Sequence, residues 1–137
     1  MPTTGDRPHV VLVVDDDPGV GGALHLLLEL YGFASEVART PGQALARVRG
    51  GGVGIVIHDM NFTRGETSGD EGLAFFRDVR REAPAVAMIL MTSWHAASTR
   101  DAALREGAAA YLTKPWDDEG LVALVRALLD GRSLSGG

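Results

Sequence analysis

VVLVVDDDPG, residues 10–19, sets five apolar side chains directly before three carboxylates and a Pro-Gly pair. An unbroken run of Val and Leu without polar alternation reads as a strand buried on both faces, as in a parallel sheet covered by helices. The acids at its end need a different explanation. Two carboxylates about 4 Å apart repel by roughly 4 kcal/mol at an effective dielectric of 20, so acids converging there need a cation or must protonate.

Outward from this stretch the pattern repeats. The apolar runs are HVVLVV (9–14), ASEVA (34–38), VGIVIH (53–58), VAMILM (86–91) and AAYL (109–112), the last being the weakest. Between them lie helical segments. Residues 19–31 carry Val20, Leu24, Leu27, Leu28 and Tyr31 at spacings of three and four, and Gly32 is a stop signal. Residues 41–49 open with Pro41, favoured in a first turn. Residues 70–82 place Leu73, Phe76 and Val79 on one face before Pro84. Residues 93–106 end at Gly107, and residues 117–129 open with acids suited to a helix N-terminus. The sum is a (βα)5 chain, hence an α/β, doubly wound parallel sheet with right-handed crossovers and helices on both faces. Ligands of such sheets bind at the carboxyl ends of the strands.

The 137 residues suit one domain, spanning 1–131, with 132–137 as a flexible tail or the start of a linker. Apolar residues at 45% and charged ones at 23% fit a globular protein rather than a disordered one. The net charge of −5 and the lack of any basic run argue against direct nucleic-acid binding. With no cysteine, disulfides, thiolate metal sites and cysteine nucleophiles are excluded. MPTTGDRPH lacks the character of a signal peptide, and no apolar run reaches the ~18 residues of a membrane span, so a cytoplasmic protein with no membrane association is expected.

The strand ends then carry the chemistry: Asp15, Asp16 and Asp17 after the first, Asp59, Met60 and Asn61 after the third, Thr92 and Ser93 after the fourth, Lys114 and Pro115 after the fifth. Converging carboxylates suit a hard divalent ion such as Mg2+, which takes oxygen ligands and shares its shell with a phosphoryl group. Lys114 adds a second positive charge, and the Thr92 hydroxyl is a hydrogen-bond donor. One acid is then left to act as a nucleophile and form an aspartyl phosphate.

In these residues the chain resembles a response-regulator receiver domain of two-component signalling, over essentially its whole length. The resemblance implies a flavodoxin-like five-stranded sheet of order 2-1-3-4-5. It makes Asp59 the phospho-acceptor, Thr92 and Lys114 its catalytic partners, and Thr92 with Tyr111 the switch pair. Asp16, Asp59 and the Asn61 carbonyl would bind Mg2+ directly, and Asp15 through water. The implied donor is a sensor histidine kinase or phosphotransfer protein. The implied readout is the face of the fourth helix, fifth strand and fifth helix, which also offers a homodimer surface. DMNFTRGETSGDEGL (59–73) and KPWDDEGL (114–121) are most similar to receivers of enhancer-binding transcriptional activators, which implies transcription as the output. The polar loop from Phe62 to Gly69 is longer than the family's usual turn and lies beside the acceptor, where it would bear on phosphodonor access and phosphate lifetime.

Other readings stand beside this one. Asp17 suits a helix cap. His58 could be a base or phosphocarrier, but strand alternation turns it away from the faces of Ile57 and Asp59, which favours a core or helix-facing histidine. Trp94 and His95 suit a surface loop. PGVGGA (18–23) lacks the spacing of a dinucleotide fingerprint. A small Asp-nucleophile phosphatase would need an acid where Asn61 stands, and the expectation is a signalling domain rather than an enzyme. A dimerisation module without phosphorylation is the remaining alternative.

Overall fold

The computed structural model describes residues 9–15, 17–60, 70–92, 97–113 and 116–135. Asp16, Asn61, the loop 62–69, Ser93, Trp94, His95, Lys114 and Pro115 lie outside the described residues. Ten elements alternate: β1 (Val10–Val14), α1 (Pro18–Leu30), β2 (Ser35–Ala38), α2 (Pro41–Arg49), β3 (Val53–Asp59), α3 (Asp70–Glu82), β4 (Ala87–Thr92), α4 (Ala97–Arg105), β5 (Ala110–Thr113) and α5 (Asp118–Ser135). All strand pairs are parallel and the order is β2-β1-β3-β4-β5, as expected.

Local chemistry starts the helices where the sequence marks them. The Asp17 carboxylate accepts from the Gly19 N–H at 2.9 Å and Pro18 occupies the first turn of α1. Thr40 Oγ1 accepts from the Gln43 N–H at 3.1 Å, followed again by a proline. Asp117 Oδ2 accepts from the Gly120 N–H at 2.9 Å and caps α5. Each cap satisfies an amide that the first helical turn leaves without an internal partner. Helix α5 runs to Ser135, well past the expected stop at 129, so residues 132–135 of the expected tail are helical.

The strands sort their side chains with a period of two. Val11, Val13, Ile55, Ile57, Ile89 and Met91 face α1 and α5, where Leu24, Leu28, Leu121 and Val125 meet them. Leu12, Val14, Val56, Met88 and Leu90 face α2, α3 and α4, against Ala44, Val48, Phe76, Val79 and Ala103. Full burial of each large side chain contributes about 1.5–3 kcal/mol, which is how two thin cores hold three layers together. β3 is buried along its whole length, whereas β5, at one edge, is half-buried. No helix among the described residues is long and apolar enough to cross a membrane.

Candidate functional site

Register brings the carboxyl ends of the strands into one rim. Val14 of β1 pairs with His58 of β3, so Asp15 and Asp59, each one residue further on, stand side by side on strands spaced about 4.8 Å apart. The Asp15 N–H still bonds to the Ala38 carbonyl of β2 at 3.1 Å, which fixes the end of β1. The Met60 N–H bonds to the Met91 carbonyl at 2.7 Å and does the same for β3. Asp59 pairs with Met91, which puts Thr92 one step beyond, and Thr92 in turn pairs with Thr113 at the end of β5. Lys114 follows Thr113 in the chain but lies outside the described residues, as do Asp16 and Asn61.

These side chains are withdrawn from water: Asp15 is 2% exposed, Asp59 8% and Thr92 0%. Asp15 Oδ1 accepts from the Asp17 N–H at 2.9 Å, so the first acid orients the turn whose third acid caps α1. Two nearly buried carboxylates on neighbouring strand ends are costly unless a positive charge joins them. Their oxygen-only donor set suits a hard divalent cation or the ammonium of a lysine. Among the described residues no third carboxylate or imidazole joins them.

His58 is 0% exposed and stands edge-on to Phe75, ring centroids 5.0 Å apart, on the α3 side of the sheet. Burial pushes its pKa down to about 3, against a weak opposing contact to the Asp59 carbonyl at 3.4 Å. A neutral, buried imidazole cannot receive phosphate from a docking protein, so alternation read it correctly as a helix-facing core residue. Tyr111 pairs with Leu90 on β4 and packs toward α2, α3 and α4. Its hydroxyl is buried and lacks a hydrogen-bond partner among the described residues. Burial raises its pKa, with the Arg100 charge on α4 acting the other way.

The sequence reading missed one feature of this rim. A cavity of about 270 Å³ opens between the end of β5 and the first turns of α5, walled by Leu112, Trp116, Leu121 and Leu124, with Thr113 and Asp117 as its polar members. Trp116 is held by its indole N–H, which donates to Asp118 Oδ1 at 2.8 Å. The helix was legible in the sequence from its opening acids, but only the tertiary fold shows the gap between Leu121, Leu124 and an edge strand.

Comparison with known proteins agrees with this geometry. Residues 11–126 match the family described as response regulator receiver domain. The transcriptional regulatory protein ZraR of Escherichia coli K12 is 31% identical over 119 residues, covering 87% of this chain and 26% of that protein. The chain thus spans about a quarter of the length of such relatives. Among solved structures, a CheY-like response regulator receiver domain protein from Methanospirillum hungatei superposes with a TM-score of 0.82 at 23% identity, covering 93% of this chain and 98% of that one. The beryllofluoride-activated NtrC4 receiver domain dimer gives 0.79 at 23% identity, covering 90% and 98%.

Proposed function

The chain belongs to the family of response regulator receiver domains of two-component signalling, and from that premise we propose that Asp59 accepts a phosphoryl group from a histidine kinase or phosphotransfer protein. The observation that carries this reading is the nearly buried Asp59 at the end of β3, with Asp15 beside it in register. An Asp59 carboxylate oxygen forms the new bond to phosphorus as the bond from phosphorus to the donor imidazole nitrogen breaks. The imidazole leaves with a proton from solvent. Thr92, at the neighbouring strand end, donates a hydrogen bond to the incoming phosphoryl oxygens, and the Lys114 ammonium neutralises their charge. Asp16, Asp59 and the Asn61 carbonyl would hold Mg2+, with Asp15 reaching it through water. When bound, the ion supplies Lewis-acid neutralisation of the phosphoryl oxygens. Asp59 and Thr92, being withdrawn from water, interact with that group in a medium where charge is poorly screened.

The phosphoryl state is read at β5 through Tyr111, and the surface of α4, β5 and α5 passes it on, by homodimerisation, to an output in transcription. The similarity to a transcriptional regulatory protein supports the output, and the dimeric NtrC4 receiver supports homodimerisation. The domain acts as a switch in the cytoplasm rather than as a turnover enzyme. Incubation with Mg2+ and acetyl phosphate, followed by intact-mass measurement, tests the central step. One added phosphoryl group is expected on the wild type and none on Asp59→Asn. A wild type that gains no mass, or a mutant that gains it equally, overturns the assignment.

A further inference from the structure

Helix α3 touches the site at one end and the approach to β5 at the other. At its start, a Cβ built on Gly72 would lie 2.5 Å from the Met60 carbonyl oxygen and 2.7 Å from the Met60 Cα. No side chain separates α3 from the backbone of the residue that follows Asp59, and glycine is what permits that approach. In its middle, Phe75, Phe76 and Val79 are buried against the sheet and anchor the helix there. Toward its far end, Arg77 makes a two-pronged bond to Glu106, Nε to Oε1 and Nη2 to Oε2, both at 2.7 Å. Arg80 lies over Gly107: a Cβ there would stand 2.8–2.9 Å from its guanidinium atoms, and a φ of +109° already restricts the position to glycine. The same guanidinium donates to the Pro84 carbonyl at 2.8 Å and so cannot swing away freely.

Glu106 and Gly107 form the turn between α4 and β5. The chain then bonds back to the sheet through the Ala109 N–H to the Met88 carbonyl at 2.8 Å, and Tyr111 follows two residues later. Gly72 and Arg80 are eight residues apart, about 12 Å along a helix axis. We propose that α3 is a strut coupling the backbone beside Asp59 to the turn that feeds β5, with Arg77 and Arg80 as positioning residues at its far end. A shift of the Met60 backbone tilts α3 about its buried middle, and the two arginines carry the tilt to Glu106 and Gly107. Its buried middle leaves α3 few packed arrangements, and the forked geometry of Arg77 on Glu106 gives its far end a preferred orientation. The strut's role in signalling rests on the phospho-acceptor reading, whereas the coupling itself can be measured without phosphate.

The test uses amide chemical shifts of residues 106–111 in the full chain. Gly72→Ala pushes α3 off Met60; its effect is compared in the wild-type background and in Arg77→Gln/Arg80→Gln. The expected result is a displacement of the 106–111 amides in the first background that falls by more than about half in the second. Equal displacement in both, or none in either, overturns the strut. Should Gly72→Ala fail to fold, the reverse direction serves: Arg77→Glu should move the Asp59 and Met60 amides, and Arg77→Glu/Glu106→Arg should return them. Unmoved amides, or a swap that does not restore them, count against the proposal.

Mg2+ and beryllofluoride are then added to the wild type and to Arg77→Gln/Arg80→Gln. If neither protein responds while the mutant coupling holds, the phospho-acceptor reading falls and the strut stands. If both respond with the same change at 106–111, the strut has no part in signalling.

Discussion

The two helical layers are fastened in opposite ways. On the side of α2, α3 and α4, forked ion pairs join separate elements: Arg47 to Glu36 at 2.6 Å, Arg49 to Glu82 at 2.7 Å and Arg77 to Glu106 at 2.7 Å. On the side of α1 and α5, apolar packing predominates among the described residues, joined by a hydrogen bond between Ser35 Oγ and His25 Nδ1 at 2.6 Å and by Arg126 over the Phe33 ring at 5.1 Å. The outer surface of α1 even leaves Leu26 60% and Leu30 74% exposed. Directional pairs fix the register of helices whose sides are polar; apolar contact fixes only distance. The ionic layer is the one that runs from the flank of β3 to the turn before β5.

The largest effect should come from beneath the ionic layer. Phe76 is fully buried, and Phe76→Ala should cost about 3–5 kcal/mol, read as a shift of the urea midpoint. A cost well under 2 kcal/mol would mean that the ion pairs, rather than this core, hold α3. Leu28→Ala on the other layer should cost a similar ~2–5 kcal/mol.

The next effect is set by pH. His58 has a folded pKa of about 3 against an ordinary 6.5, so the unfolded chain takes up a proton first as pH falls. Stability from this group is fully present above 6.5 and is lost progressively down to about 3, at ~1.4 kcal/mol per pH unit between the two. His58→Phe should lose that slope between pH 6 and 4 relative to the wild type; parallel pH profiles would show that the imidazole is not neutral in the fold.

Smaller still is the ionic contribution. The Glu82 carboxyl is held below its usual range by the Arg49 hydrogen bond, as Glu106 is by Arg77. Both pairs are largely exposed, so Arg49→Gln should lower the melting temperature slightly at low salt and hardly at all at 1 M salt. A salt-independent loss would point to packing by the arginine stem instead. Smallest of all, Leu30→Gln on the outside of α1 should leave stability within ~0.5 kcal/mol of the wild type. A larger loss would show that α1 is covered in solution.

How much of the fold is legible in the residues follows the range of the forces involved. Val10–Val14 and Val53–Asp59 announce themselves because burial on both faces requires unbroken apolar runs, and the strand-end residues Asp15, Asp59 and Thr92 follow by counting. His58 was placed by alternation alone. The ion pairs were invisible: Arg49 and Glu82 are 33 residues apart, Arg77 and Glu106 29, and local spacing rules see only partners three or four apart on one helix. The length of α5 escaped because Gly131, Ser133 and Ser135 look like a tail by propensity, though the helix runs through them. The expectations for Asp16, Asn61 and Lys114 rest on the resemblance alone, because these residues lie outside the described ones.

The strand order also has a consequence in time. β1 sits between β2 and β3, and all three strands lie within the first 59 residues, so the middle of the sheet can assemble before the later strands are made. Beyond β3, β4 joins β3 and β5 joins β4, so the later strands extend the sheet at one edge. Folding should therefore begin in the N-terminal half, with Leu12→Ala slowing refolding more than its share of the lost stability and Leu90→Ala acting chiefly on unfolding. On this view the half-buried β5 strand, last to arrive and held by one neighbour, is the cheapest part of the sheet to rearrange after folding is complete.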